Sequence, residues 1–198
     1  MNRLLSFFRR KILRIPADRW DYQYTQGEWE GLPAESARLE AVIGLIGSSY
    51  KAPAILEIGC GKAVMLRQMP AGSFSTFTGI DLSQVAIRGA RLYETERIRF
   101  AQADMQSFMP GNMYDVIAFN ESLYYAKDPA AVFARYLPFL KDGGSIIVSA
   151  FQNKYTAKLW PALARKWQAT HIQVVKEGKN EWNIRMYRFD EPGISGAD

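Results

Sequence analysis

From Ala54 to Phe189, short apolar runs alternate with segments of helical spacing, and most of the runs end on a polar or acidic residue. In Ala54–Ile58, Ile55, Leu56 and Ile58 form a nearly continuous apolar segment, the pattern of a central parallel strand buried on both faces. Phe77–Leu82 (FTGIDL) predicts a second strand ending at Asp81, Ile98–Ala101 a third that leads to Asp104, and Tyr114–Phe119 a fourth ending at Asn120. The turn Leu140–Gly144 then opens a strand over Ser145–Phe151. Helices are expected between these runs: Lys62–Met69, a segment capped by Ser83 and reaching Thr95, Pro129–Leu137, and one that ends near Gln168. His171–Val175 and Trp182–Phe189 alternate with period two on either side of Lys-Glu-Gly-Lys-Asn, which reads as a hairpin. Ahead of the first strand, Pro33–Tyr50 predicts an amphipathic helix with Leu39, Val42, Ile43 and Ile46 as its core stripe. Strands alternating with helices describe an α/β domain on a mostly parallel sheet.

The first part of the chain follows a different pattern. Met1–Ile15 places Leu4, Leu5, Phe8, Ile12 and Ile15 on one helical face, with Phe7 at its edge and basic residues over the remainder. This reads either as an interfacial helix on an anionic membrane surface or as a terminal helix packed on its own domain. Arg9, Arg10 and Lys11 interrupt the apolar run, so neither a secretory signal nor a membrane span is expected. Pro16 is expected to stop that helix. Asp18–Leu32 (DRWDYQYTQGEWEGL) then reads as an irregular segment whose Trp20, Tyr22, Tyr24 and Trp29 must cover something apolar. It is either a lid over a ligand or a hydrophobic plug at the core edge. Glu191–Asp198 reads as a loose tail.

Composition narrows the function classes. A chain of 198 residues with 48% hydrophobic content suits one well-buried α/β domain rather than two. The single Cys60 excludes an internal disulfide and a two-thiol metal site, and no metal is expected. Lying in a glycine loop with no histidine near it in sequence, Cys60 reads as a small residue in a tight turn rather than a nucleophile. The net charge of +5 is concentrated: Arg3, Arg9, Arg10, Lys11, Arg14 and Arg19 stand against Asp18 in residues 1–19, and the remainder carries 19 basic and 19 acidic groups. A nucleic-acid binder would be expected to carry a basic stripe on the folded domain itself, so no nucleic-acid partner is expected.

The chemistry concentrates at the strand ends. Glu57 is costly to bury without partners, so it belongs at the carboxyl end of the first strand, where open α/β sheets bind ligands. Gly59 and Gly61 let the backbone turn sharply and approach a ligand. Asp81 lies 20 residues beyond Gly61 (81 minus 61), a spacing at which a carboxylate can accept hydrogen bonds from both hydroxyls of a ribose. A dinucleotide fingerprint would place a third small residue at position 64, which is Val64, whereas the small residue here is Ala63.

At this E-x-G-x-G-x-A motif the chain resembles the class I S-adenosylmethionine-dependent methyltransferases, and the resemblance extends over roughly Ala54–Phe189. It implies a Rossmann-like three-layer α/β sandwich with a mostly parallel seven-stranded sheet ending in an antiparallel hairpin. It implies S-adenosylmethionine as cofactor, held by Glu57, Gly59, Cys60, Gly61, Asp81, Leu82 and Asn120, with Asp104 at the adenine amino group and Met105 on the ring. Tyr24 and Trp29 of the aromatic segment would close over it. The segment Asn120–Asp128 (NESLYYAKD) resembles the loop of small-molecule members such as the nodulation-factor N-methyltransferase group, and it lacks the N-P-P-Y motif of nucleic-acid amino-methyltransferases. The expected reaction is direct displacement on the methyl group, with a small-molecule or glycan-type acceptor. Glu121, Tyr124, Tyr125 and His171 are the candidates for acceptor binding or proton removal, although His171, on a strand, also reads as an ordinary half-buried histidine. A nicotinamide-dependent oxidoreductase and a non-catalytic cofactor-binding module remain as competing classes. The expected organisation is a basic helix over 1–15, a lid and leading helix over 16–50, a methyltransferase core over 51–190 and a tail over 191–198. The expected location is cytoplasmic, with peripheral contact to the inner membrane surface if the basic helix is interfacial.

Overall fold

The computed structural model describes residues 15–29 and 36–190. The basic helix expected over 1–15, apart from Ile15, and the tail expected over 191–198 lie outside these residues, as does the start of the helix expected at Pro33. Two helices, α1 (Ala17–Thr25) and α2 (Ser36–Ser49), precede the sheet. Then follow β1 (Ala54–Ile58), α3 (Val64–Gln68), β2 (Thr76–Asp81), α4 (Gln84–Ala90), β3 (Ile98–Gln102), β4 (Tyr114–Asn120), α5 (Pro129–Tyr136), β5 (Leu140–Phe151), α6 (Leu159–Ala164), β6 (His171–Glu177) and β7 (Asn180–Phe189).

The seven strands form one sheet in the order β3-β2-β1-β4-β5-β7-β6. β1, β2, β3, β4 and β5 run parallel, and β7 pairs antiparallel with both β5 and β6. This is a Rossmann-like α/β fold closed by a hairpin, as the sequence predicts. Central strands are apolar on both sides because both faces are covered. Ile117 and Phe119 of β4 pack with α5 and α6 through Phe133, Tyr136 and Leu163. Val116 and Ala118 face the other way, toward Leu39, Val42 and Ile46 of α2 and Ile87 of α4. Strand order reverses between β1 and β4, so the carboxyl ends of these two strands open the crevice in which such sheets bind ligands.

Three local expectations change. The segment after Pro16 is not irregular: Pro16 is the N-cap of α1. Before the first helical turn, proline's fixed φ and missing N–H cost nothing, so a residue that breaks a helix interior can open one. The turn expected at Leu140–Gly144 is absorbed into β5, with a register irregularity opposite Tyr114 and Val116, where Gly143 takes φ +69°. The helix capped by Ser83 is present, its hydroxyl accepting the Ala86 N–H at 3.1 Å, but regular α-helix ends at Ala90.

Candidate functional site at the strand ends

A cavity of about 560 Å³ opens at the carboxyl ends of β1 to β4. Its floor is made by the loop after β1. Gly59 (φ +80°) and Gly61 (φ +55°) take left-handed backbone there, as does Ala63 (φ +61°) at the N-cap of α3. Gly59 is required by a neighbour as well as by its own φ, and Gly61 by its φ. A Cβ on Gly59 would stand 2.6 Å from the Ser122 Cβ, and one on Gly61 would stand 2.9 Å from the Tyr24 hydroxyl. The loop after β4 and the aromatic helix α1 therefore both close onto glycine backbone. Cys60 between them is buried, and burial pushes its thiol well up, with the Asp81 and Glu57 carboxylates adding to the rise. A thiol so held is a poor nucleophile.

Asp81 stands at the tip of β2. One carboxylate oxygen accepts the Gly61 N–H at 2.9 Å and the other the Ser83 N–H at 2.8 Å, which ties the β1 loop to the start of α4. Burial raises its pKa to about 6 against these backbone hydrogen bonds. Both oxygens retain acceptor capacity for a vicinal diol. Leu82, Asp104 and Met105 line the same cavity, and the Asp104 carboxylate accepts the Gln106 N–H at 2.9 Å, which fixes the loop after β3.

Glu57 and Asn120, at the ends of the adjacent strands β1 and β4, are joined by a hydrogen bond from Asn120 Nδ2 to Glu57 Oε1 at 2.9 Å. The Ser149 hydroxyl donates to Asn120 Oδ1 at 3.3 Å, and Arg38 Nη1 donates to the same hydroxyl oxygen at 3.2 Å. Arg38 is only 4% exposed, lines the cavity, and its Nε is buried without a hydrogen-bond partner. A buried guanidinium with so few partners favours an anion beside it. Sequence reasoning missed Arg38 and Ser149. The available signal was that Arg38, Val42 and Leu45 share one helical face, so a cation occupies a position of the apolar stripe.

Aromatic rings wall the cavity. Trp20 meets Tyr125 edge-on at 4.9 Å and lies 5.5 Å from Trp29, which in turn lies 5.8 Å from Tyr24. Tyr22, by contrast, is 60% exposed and does not belong to the wall. The helix carrying Trp20 and Tyr24 is fastened by Asp21, whose Oδ1 accepts the Ser83 hydroxyl at 2.5 Å and the Val85 N–H at 3.1 Å. Glu121 lines the cavity and Tyr124 packs behind it, the tyrosine hydroxyl donating to Glu121 Oε2 at 2.7 Å.

The structure thus gathers around one cavity Glu57, Gly59, Cys60, Gly61, Asp81, Leu82, Asp104, Met105, Asn120, Tyr24, Trp29, Glu121 and Tyr125, with Tyr124 bonded to Glu121. It does not bring His171 there. That residue is exposed on the outermost strand, β6, paired with Met186 and away from the strand ends that form the cavity. Among the described residues no cluster of three or more histidine, cysteine or acidic side chains could hold a metal ion.

Comparison with known proteins bears on the fold and the family. The chain is 28% identical over 146 residues to a malonyl-[acyl-carrier protein] O-methyltransferase from Paenibacillus sp., covering 66% of this chain and 52% of that protein. It is 26% identical over 179 residues to a ubiquinone biosynthesis O-methyltransferase from Alkalilimnicola ehrlichii, covering 86% of this chain and 69% of that one. The chain spans about half the length of the first curated relatives it matches, 52% and 50%. Its fold is similar to the crystal structure of the N-methyltransferase NodS from Bradyrhizobium japonicum WM9 in complex with S-adenosyl-L-homocysteine. The TM-score is 0.68 at 20% identity, covering 96% of this chain and 100% of that one. Residues 29–182 match a family model described as a methyltransferase domain, and with more than half of its 198 residues inside that match, the chain belongs to the methyltransferase-domain family.

Proposed function

We propose that this chain binds S-adenosylmethionine and transfers its methyl group to a small molecule. The observation that carries this reading is the lateral order of groups along the sheet edge. The strand order β3-β2-β1-β4 sets side by side Asp104, Asp81, the glycine loop with Glu57, and the Asn120–Tyr125 segment. Four strands at their usual spacing span about 14 Å, the reach of an extended nucleoside joined to an amino acid. Asp104 suits a base amino group and Asp81 the two ribose hydroxyls. The buried Arg38, with its unpartnered Nε, suits an amino-acid carboxylate, and Glu57 the ammonium beside it. The residues present therefore fit this cofactor chemically, whereas a dinucleotide would meet Val64 where its helix requires a small residue.

When bound, S-adenosylmethionine supplies a methyl group activated by its sulfonium. The chain supplies position: the glycine loop and Asp81 fix the nucleoside, the aromatic wall excludes water, and Glu121 and Tyr125 line the side from which an acceptor approaches. Curated relatives named as O-methyltransferases and the N-methyltransferase NodS support an oxygen or nitrogen acceptor.

We also propose that the basic segment 1–15 rests on anionic membrane surface, because Leu4, Leu5, Phe8, Ile12 and Ile15 recur at helical spacing with Arg and Lys over the remaining positions. No described helix is long and apolar enough to cross a membrane.

Calorimetry tests the reading. S-adenosylhomocysteine is expected to bind and a nicotinamide dinucleotide not to. A screen across glycans, amines, carboxylates and phenols is expected to release S-adenosylhomocysteine with at least one class. Tighter binding of the dinucleotide would favour an oxidoreductase, and binding without turnover on every class a non-catalytic module.

A further inference from the structure

The methyl-transfer reading uses Glu121 and Tyr125 as lining but leaves the hydrogen bonds around them unexplained. Glu121 takes left-handed backbone (φ +53°), a conformation that residues other than glycine, asparagine and aspartate rarely adopt. In that conformation its carboxylate lies under the short 3₁₀ turn Leu123–Tyr125, with Oε2 accepting the Tyr124 hydroxyl at 2.7 Å and the Phe151 N–H at 3.1 Å. The Tyr124 and Tyr125 rings are 4.6 Å apart and their hydroxyls are hydrogen-bonded. Tyr124 has one proton, and it is engaged with the carboxylate, so in the bond between the tyrosines it is Tyr125 that donates. The three groups therefore form a chain polarised from Tyr125, which lines the cavity, toward Glu121.

We infer that Tyr125, Tyr124 and Glu121 form a proton relay that deprotonates a hydroxyl acceptor carried on a planar ring. The inference rests on the methyl-transfer reading and adds to it the acceptor class and the route of its proton. As the acceptor oxygen forms its bond to the methyl carbon with a lone pair, the methyl–sulfur electron pair returns to sulfur. The acceptor's proton passes to the Tyr125 oxygen, the Tyr125 proton to Tyr124 and the Tyr124 proton to Glu121, which ends as a carboxylic acid. Burial raises both phenols, so each stays neutral and hands a proton on instead of holding a charge. The wall of Trp20 and Trp29 beside Tyr125 suits a planar ring, which packs edge-on or offset against such side chains. Tyr125 is the catalytic residue of this relay and Tyr124 a positioning residue that acts through it.

The test compares two phenols with the full chain and S-adenosylmethionine, at a pH where 4-nitrophenol is ionised and 4-methylphenol is not. An acceptor that is already ionised has no proton to lose, so only the protonated one needs the relay. Tyr124→Phe and Glu121→Gln are expected to lower turnover of 4-methylphenol by about 100-fold or more and to raise the ratio of 4-nitrophenol to 4-methylphenol turnover accordingly. Binding of S-adenosylhomocysteine to each variant reports that its fold is intact. Equal losses on the two phenols, or no loss in either variant, would overturn the relay. Wild-type chain that binds S-adenosylhomocysteine and methylates neither phenol would overturn the hydroxyl acceptor and leave the cofactor reading standing. Failure to bind S-adenosylhomocysteine would remove the reading on which the relay rests.

Discussion

At Asp81 two opposing effects can be weighed. A carboxylate that accepts two backbone N–H groups ordinarily titrates low, yet its pKa rises from 3.8 to about 6, because burial outweighs those bonds and the nearby Asp21 carboxylate adds to the rise. Only the ionised form offers both oxygens fully to a diol, so affinity for S-adenosylhomocysteine is expected to increase with pH through about 6 and then level off. Titration calorimetry across that range measures it, and Asp21→Asn should move the midpoint down by removing a like charge. Without ligand, the folded chain holds a proton between pH 3.8 and about 6 that the unfolded chain has released, so this group's contribution to stability falls as pH rises through that window. Asp81→Ala is expected to weaken binding by about 1 to 3 kcal/mol with the fold retained. An unchanged dissociation constant would take Asp81 out of the site.

Helix α1 rests on few attachments. Asp21 joins it to Ser83 and Val85 at the start of α4, and Trp20 and Tyr24 join it to rings and glycine backbone around the cavity. Loss of a side chain that caps a helix start costs about 1 to 2 kcal/mol. Asp21→Ala should therefore speed hydrogen exchange across Ala17–Thr25 and quicken dissociation of S-adenosylhomocysteine, while exchange in the sheet stays as it was. Exchange in α1 at the wild-type rate would mean that the ring contacts alone hold it. This element was hard to read from sequence because its only apolar signal is Trp20 and Tyr24, one turn apart among polar residues. The strands were easy to read for the opposite reason: Ile55 to Ile58 and Val116 to Phe119 must be apolar throughout to lie between two helical layers.

For the whole molecule, charge and fold separate along the chain. Met1–Arg14 contains Arg3, Arg9, Arg10, Lys11 and Arg14 and no acid, so these fourteen residues account for the whole net charge of +5. Their removal should leave a chain that still binds S-adenosylhomocysteine, since every described residue that lines the cavity lies at Ile15 or beyond. The full chain should sediment with phosphatidylglycerol vesicles, less so as salt rises, because each Lys or Arg near such a surface contributes about 1 kcal/mol that screening weakens. The shortened chain should stay in the supernatant. Equal sedimentation of both forms would return the segment to the role of a helix packed on its own domain.

The sequence by itself determined the succession of strands and helices, the glycine loop, and the acids that close β2 and the loop after β3, because these depend on periodicity and on spacing within one turn or one strand–helix unit. It also placed the segment after β4 at the strand ends, where Asn120, Glu121, Ser122 and Tyr125 line the cavity, since that segment directly follows an apolar strand. Only the tertiary structure decided which distant side chains meet. Arg38 joins Ser149 across 111 positions, Asp21 caps a helix that begins more than sixty residues later, and His171 is carried to the outer edge by a hairpin that adds two strands beyond β5. Gly59 is required as much by Ser122 as by any ligand, a constraint that appears only once β1 and β4 lie side by side. Local patterns fix where a chain turns and which side it buries. Contacts between elements depend on strand order and register, and these are set by packing over the whole sheet rather than by any one segment.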